Sequence, residues 1–106
     1  MLQNFRTHQL AVQFYQTTRT KKLPTGLQQQ LGRAASSIAL NLAEGYGRRA
    51  PRDRVRFYQI ALGSIRECQS ILMLEQQAFT TEEQKMLDKL GAGTYLLIRN
   101  HPNLSP

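Results

Sequence analysis

The sequence predicts an all-α fold, an antiparallel up-down-up-down four-helix bundle forming a single domain over residues 1–106. Three observations carry this. Apolar residues recur at three- and four-residue steps in four separate stretches, and no stretch alternates with the period of a strand. The breaks between stretches are short and hold turn or capping residues: Leu23-Pro24, Gly45-Tyr46-Gly47 before Pro51, and Ala78-Phe79-Thr80. Short connections favour antiparallel neighbours.

The first helix is expected over about residues 3–21, with Phe5, Leu10, Val12, Phe14 and Tyr15 as an imperfect apolar stripe. Thr17, Thr18 and Thr20 weaken its end through lost rotamer freedom. Lys21 and Lys22 suit its C-terminal end, where the macrodipole favours cations. Leu23-Pro24 stops it.

The second helix is expected over about 25–46. Thr25-Gly-Leu-Gln28 has the spacing of a capping box. Leu27, Leu31, Ala34, Ala35, Ile38 and Leu42 form one apolar stripe. Between Leu31 and Tyr46 only Arg33 and Glu44 are charged, which marks a central helix covered on more than one side. Gly45 and Gly47 tolerate left-handed backbone and are expected to end it.

The third helix is expected over about 51–77, with Pro51 in its first turn. Tyr58, Leu62, Ile65, Cys68 (or Gln69) and Leu72 form one stripe, and Phe57, Ile60, Ala61, Ile71 and Leu74 a second. A mid-helix glycine costs about 1 kcal/mol relative to alanine, so Gly63 suggests a closely approaching backbone. Thr80-Thr-Glu-Glu83 is a second capping box, opening a fourth helix over about 81–100 through Met86, Leu87, Leu90, Tyr95, Leu97 and Ile98. Residues 103–106 read as a loose tail.

The chain is globular in composition, with 41% hydrophobic residues among 106. Its single cysteine, Cys68, rules out an internal disulfide and fits a cytoplasmic protein. No signal peptide or membrane-spanning run is expected. The net charge of +7 is unevenly spread. Residues 1–43 hold no acid, and residues 44–56 hold five arginines against Glu44 and Asp53. A one-sided basic half is a polyanion-binding signature, with RNA or DNA the usual partner. The plain alternative is a basic domain that binds no nucleic acid.

Three groups of residues stand out. Arg48, Arg49, Arg52, Arg54 and Arg56 surround the turn between the second and third helices. Their forked guanidinium groups match phosphate oxygens, and Tyr46 and Tyr58 nearby can stack on unpaired bases. The competing reading pairs these arginines with Asp53 or with another subunit. Arg33, Ser37, Asn41 and Glu44 share one face of the second helix, opposite Ser64 and Glu67 of the third. They read mainly as a network fixing helix register, with Glu44 or Glu67 paired to Arg33 or Arg66. The alternative is a hydrolytic site built on Glu44 and Glu67. Ser36, Leu40 and Ala43 lie on the uncharged back of the second helix and read as an oligomer contact, unless helix 1 or the tail covers them. His8 and His101 lack ligand spacing and Cys68 lacks an activating base. No catalytic residue, metal or cofactor is therefore expected.

Two stretches resemble a known family. Gln30-Leu-Gly-Arg-Ala-Ala-Ser-Ser-Ile-Ala-Leu-Asn-Leu-Ala-Glu-Gly-Tyr-Gly-Arg48 and Arg56-Phe-Tyr-Gln-Ile-Ala-Leu-Gly-Ser-Ile-Arg-Glu67 are similar to the two hallmarks of the small bundle proteins encoded in intervening sequences of bacterial 23S ribosomal RNA genes. Asn4-Phe5-Arg6 and Leu23-Pro24 fit the same pattern, although helix 1 lacks the tryptophan many members carry. The resemblance implies an antiparallel four-helix bundle, a ring-shaped homo-oligomer that is a pentamer, and no established enzyme activity. Accessory variability proteins of diversity-generating retroelements share that architecture and bind nucleic acid and a reverse transcriptase. By this resemblance Arg33, Asn41, Glu44, Gly45, Ser64 and Glu67 occupy motif positions. The expectation is a non-enzymatic bundle binding RNA through its arginines. The second hypothesis is a scaffold, or a reverse-transcriptase accessory protein, whose arginines serve subunit or protein contacts.

Overall fold

The computed structural model describes residues 2–101; the expected tail at 103–106 lies outside them. Among the described residues there are four α-helices and no strand: α1 (Leu2–Thr18), α2 (Thr25–Gly47), α3 (Pro51–Leu74) and α4 (Thr81–Arg99). A short 3-10 turn, Gln76–Ala78, links the last two. The 24 residues of α3 span about 36 Å at 1.5 Å per residue, close to the 40 Å long axis of the molecule. Helix α2 packs on α1 and α3, and α4 closes the arrangement against α3 and α1. The diagonal pairs lie further apart, and α1 reaches α3 by a side chain, Asn4 Nδ2 donating to Tyr58 Oη at 2.7 Å.

The α2 stripe works as its spacing requires. Leu31, Ala34, Ala35, Ile38 and Leu42 are all buried, and the small alanines let neighbours approach. They meet Phe14 of α1, Tyr58, Ile65 and Cys68 of α3, and Leu87 and Leu90 of α4 in one core. Burying each large apolar side chain contributes about 1.5–3 kcal/mol, the main term favouring the fold.

Several local expectations are corrected. Helix α1 ends at Thr18, three residues early, because Thr17 and Thr18 donate their hydroxyls to the carbonyls of Phe14 and Tyr15 (2.7 and 2.6 Å). Lys21 therefore lies beyond the helix. It pairs with Glu83 at the start of α4 and sits 5.1 Å from the Phe79 ring centroid. Thr25 does not cap α2, because it is the first helical residue. Pro24 holds the cap position and accepts the Gln28 N–H at 2.9 Å, while the Gln28 side chain donates to Thr18 O. The α3 helix stops at Leu74 and not at residue 77. Phe5, placed in the α1 stripe, is 57% exposed, as are Ile60, Leu74 and Tyr95 in large part.

The glycines divide unexpectedly. No described glycine has positive φ, so neither Gly45 nor Gly47 ends α2 by a left-handed turn. Gly45 is buried inside the helix because a Cβ there would lie 2.7 Å from the Tyr58 ring. Gly63, expected at a close approach, has nothing within 4 Å of its Cβ position. A neighbouring backbone comes close instead at Gly45, whose Cβ would lie 3.2 Å from the Arg54 carbonyl oxygen, and at Gly93 a Cβ would lie 2.7 Å from the Thr7 side-chain Oγ1. The Thr80 capping box forms as expected: Glu83 N–H donates to Thr80 Oγ1 at 3.1 Å and Thr80 N–H to Glu83 Oε1 at 2.8 Å.

Candidate nucleic-acid interface

The turn from α2 to α3 places the arginines. Arg48 caps α2, its N–H donating to Gly45 O at 3.2 Å, and Ala50 is extended before Pro51 opens α3. Arginines in the first turn of a helix oppose its dipole. Here the offset comes from the α2 carbonyl end beside them: Arg54 Nε donates to Arg48 O at 2.6 Å. Arg48 itself pairs with Glu44 at 2.9 Å, one helical turn back. The Arg48 and Arg56 guanidinium groups each lie 4.9 Å from the Phe57 ring centroid, within cation–π range. Arg49 and Arg52 are exposed, and Arg54 is half-buried.

Of the two tyrosines expected to stack on bases, only Tyr46 is accessible, at 48% exposure. Tyr58 is 1% exposed and belongs to the core, its hydroxyl accepting from Asn4 Nδ2 at 2.7 Å. Burial pushes its pKa above the ordinary tyrosine value, against the hydrogen bond from Asn4 and the charge of Arg54. Tyr58 therefore stays protonated at neutral pH.

The α2–α3 polar stripe is brought together only in part. Ser64 Oγ donates to Ser37 Oγ at 2.8 Å, and Asn41 Nδ2 donates to Ser37 O and Oγ at 2.9 and 3.0 Å. Arg33 and Glu67 are exposed on the rim of a groove of about 490 Å³ that Ser37 and Ser64 also line. Glu44 lies outside this network, held by Arg48. The two carboxylates of the hydrolytic alternative thus occupy different sites. No cluster of three metal-ligating residues occurs among the described residues.

On the back of α2, Leu40 is 68% exposed, Ala43 is exposed, and half-buried Ser36 donates to Arg33 O at 3.0 Å. Helix α1 does not cover Leu40. Next to this face, Phe5, His8, Leu42 and Tyr46 line a shallow apolar hollow between α1 and α2. Sequence reasoning missed it, because it treated Phe5 as core.

Fold and surface together define an all-α four-helix protein organised around α2, with a basic turn at one end of that helix. The chain belongs to the 23S rRNA-intervening sequence protein family, whose model matches residues 5–92. That span takes in most of α1, all of α2 and α3, and the first part of α4. No curated protein and no solved structure matches it. Among the described residues, no helix is long and apolar enough to cross a membrane.

Proposed function

We propose that this protein is a non-enzymatic, cytoplasmic homo-oligomer that binds RNA through Arg48, Arg49, Arg52, Arg54 and Arg56. In this reading the helices run up-down-up-down and antiparallel. Lys21, just beyond the end of α1, meets Glu83 at the start of α4, which supports opposite directions for those two helices. The carrying observation is the accessible positive charge at one turn. Arg48, Arg49, Arg52 and Arg56 are all exposed there, against Glu44 and Asp53 alone. The family name, with its link to ribosomal RNA genes, makes RNA the first nucleic acid to test. The bare α2 back around Leu40 supplies an apolar surface for self-association, and a ring of five would repeat the arginine turn and convert weak contacts into avidity.

The test is the salt dependence of affinity for a single-stranded RNA. Each phosphate contact contributes about 0.7 to the slope of log affinity against log salt, so replacing Arg48, Arg49 and Arg52 with alanine flattens it by about 2 units. An unchanged slope removes these residues from the interface.

A second reading is favoured by the engagement of Arg48 with Glu44 and Phe57. The arginines would then order the helix junction for a subunit or protein contact, a reverse transcriptase included. The same triple variant would lose its oligomeric state in light scattering, and the wild type would bind no RNA.

A further inference from the structure

A cleft borders the arginine turn and shares Arg54 and Tyr46 with it. The first turn of α1, the last turn of α2, the start of α3 and the end of α4 meet around a space of about 460 Å³. That size is within the ~300–1,000 Å³ range of small-molecule sites. Among the described residues its lining is polar at Asn4, Tyr46, Arg54, Tyr58, Asn100 and His101 and apolar at Leu97, with no carboxylate. Such a composition selects against cations and for an anion carrying both donors and an aromatic face.

We infer that this end cleft is a nucleoside monophosphate site, with Arg54 and His101 taking the phosphate and Tyr46 stacking on the base. The chemistry divides along the cleft. The Arg54 Nε is committed to the Arg48 carbonyl, which fixes the guanidinium and leaves its terminal N–H groups for a phosphate oxygen. The half-exposed Tyr46 ring forms part of the wall, and a base stacked on an aromatic side chain contributes about 1–3 kcal/mol. Asn4 and Asn100 carry amides with both donor and acceptor groups, suited to a base edge or ribose hydroxyls. Tyr58 backs the cleft, and the hydrogen bond from Asn4 Nδ2 to its hydroxyl holds the Asn4 amide in place. A bare phosphate would use only one end of this lining.

The site shares Arg54 and Tyr46 with the proposed RNA surface, but the cleft does not require RNA binding. The experiment titrates the full chain with adenosine 5′-monophosphate by calorimetry, with inorganic phosphate and adenosine as separate arms. The nucleotide binds at least tenfold more tightly than either fragment. His101→Gln and Arg54→Lys each weaken it at least fivefold, and Tyr46→Leu reduces it to the level of phosphate. Arg54 also supports the turn, so His101→Gln, outside every helix, keeps the test independent of folding. A control substitution on the α4 surface, Lys89→Ala, leaves affinity unchanged. Inorganic phosphate binding as tightly as the nucleotide, or nucleotide affinity unmoved by both His101→Gln and Arg54→Lys, overturns the inference. A chain that binds the mononucleotide but no RNA upholds it while refuting the proposed function.

Discussion

Replacing Gly45 with alanine tests the packing of α2 on α3 more sharply than any core truncation. The new methyl carbon would lie 2.7 and 2.9 Å from Tyr58 Cε1 and Cδ1, and 3.2 Å from the Arg54 carbonyl oxygen. Carbon atoms in ordinary contact sit about 3.5–4.0 Å apart, so the ring or the helix must move by nearly 1 Å. Tyr58 has little room to yield, since it is fully buried and bonded to Asn4. Overpacking of this kind costs about 1–3 kcal/mol. Alanine returns about 1 kcal/mol through helix propensity, so the net expectation is a loss of about 1 kcal/mol. Gly63→Ala makes the same chemical change in open space and gains about 0.5–1 kcal/mol. The two variants then melt about 6–16 °C apart, given about 4–8 °C per kcal/mol for a domain of this size. The assay is thermal unfolding by circular dichroism at one fixed protein concentration, because self-association would otherwise shift the midpoint. Gly45→Ala melting at or above the wild type, or Gly63→Ala melting below it, refutes the reasoning.

Three further outcomes follow from side-chain environments. Burial raises the Glu83 pKa, but the hydrogen bonds from Lys21 and Thr80 and the Lys21 charge outweigh it and hold the carboxyl below its ordinary value. The folded value is the lower one, so this stabilisation is present above the unfolded pKa of about 4.3 and is lost as pH falls through the folded pKa. Acid titration of stability should show that loss, and Glu83→Gln should remove it; an identical pH profile in the variant rejects the role of the pair. The Cys68 thiol is pushed up to about 12, first by burial and then by the Glu67 carboxylate, so it should resist a thiol reagent at pH 8 until the chain unfolds. Labelling of the native protein at the rate of a free thiol contradicts this. Ser64→Ala should cost about 0.5–1.5 kcal/mol in chemical denaturation by removing the donor to Ser37, whereas exposed Glu67→Gln should be nearly neutral. Equal effects from both would mean that Ser37 and Ser64 do not tie α2 to α3.

The sequence made α2 legible because its burial is written in local spacing. Leu31, Ala34, Ala35, Ile38 and Leu42 follow one stripe, and a stripe needs no knowledge of the partner. The Thr80 box and Pro51 were equally readable, since both act within one turn. Thr25 has the same motif and fails because Pro24 occupies the cap, a choice between adjacent residues that the motif alone does not decide. The glycines were illegible for another reason. Gly45, Gly63 and Gly93 all sit in helices, and only the neighbouring helix determines which one needs the missing side chain. Of the candidate site, the arginine turn could be read because it is contiguous in sequence. The end cleft could not, because Asn4, Tyr46 and Arg54 come from three helices and His101 from the segment after α4. Spacing also could not show that Glu44 would turn to Arg48 and leave Ser37 and Ser64.

The pattern of helix contacts carries a kinetic consequence. Three of the four packed pairs join helices consecutive in the chain, and only α1 against α4 joins the two ends. Consecutive pairs close short loops, so α1–α2–α3 can assemble on a low contact order, and the fold should form quickly. The α1–α4 seam bears the greatest loop-closure entropy and is the natural last step. Its contacts, Thr7 against Gly93 and Lys21 with Glu83, then form after the transition state. Weakening them should accelerate unfolding and leave the folding rate nearly unchanged. The lifetime of the native state would thus be governed at the seam where the chain's two ends meet, far in sequence from the helix that organises its core.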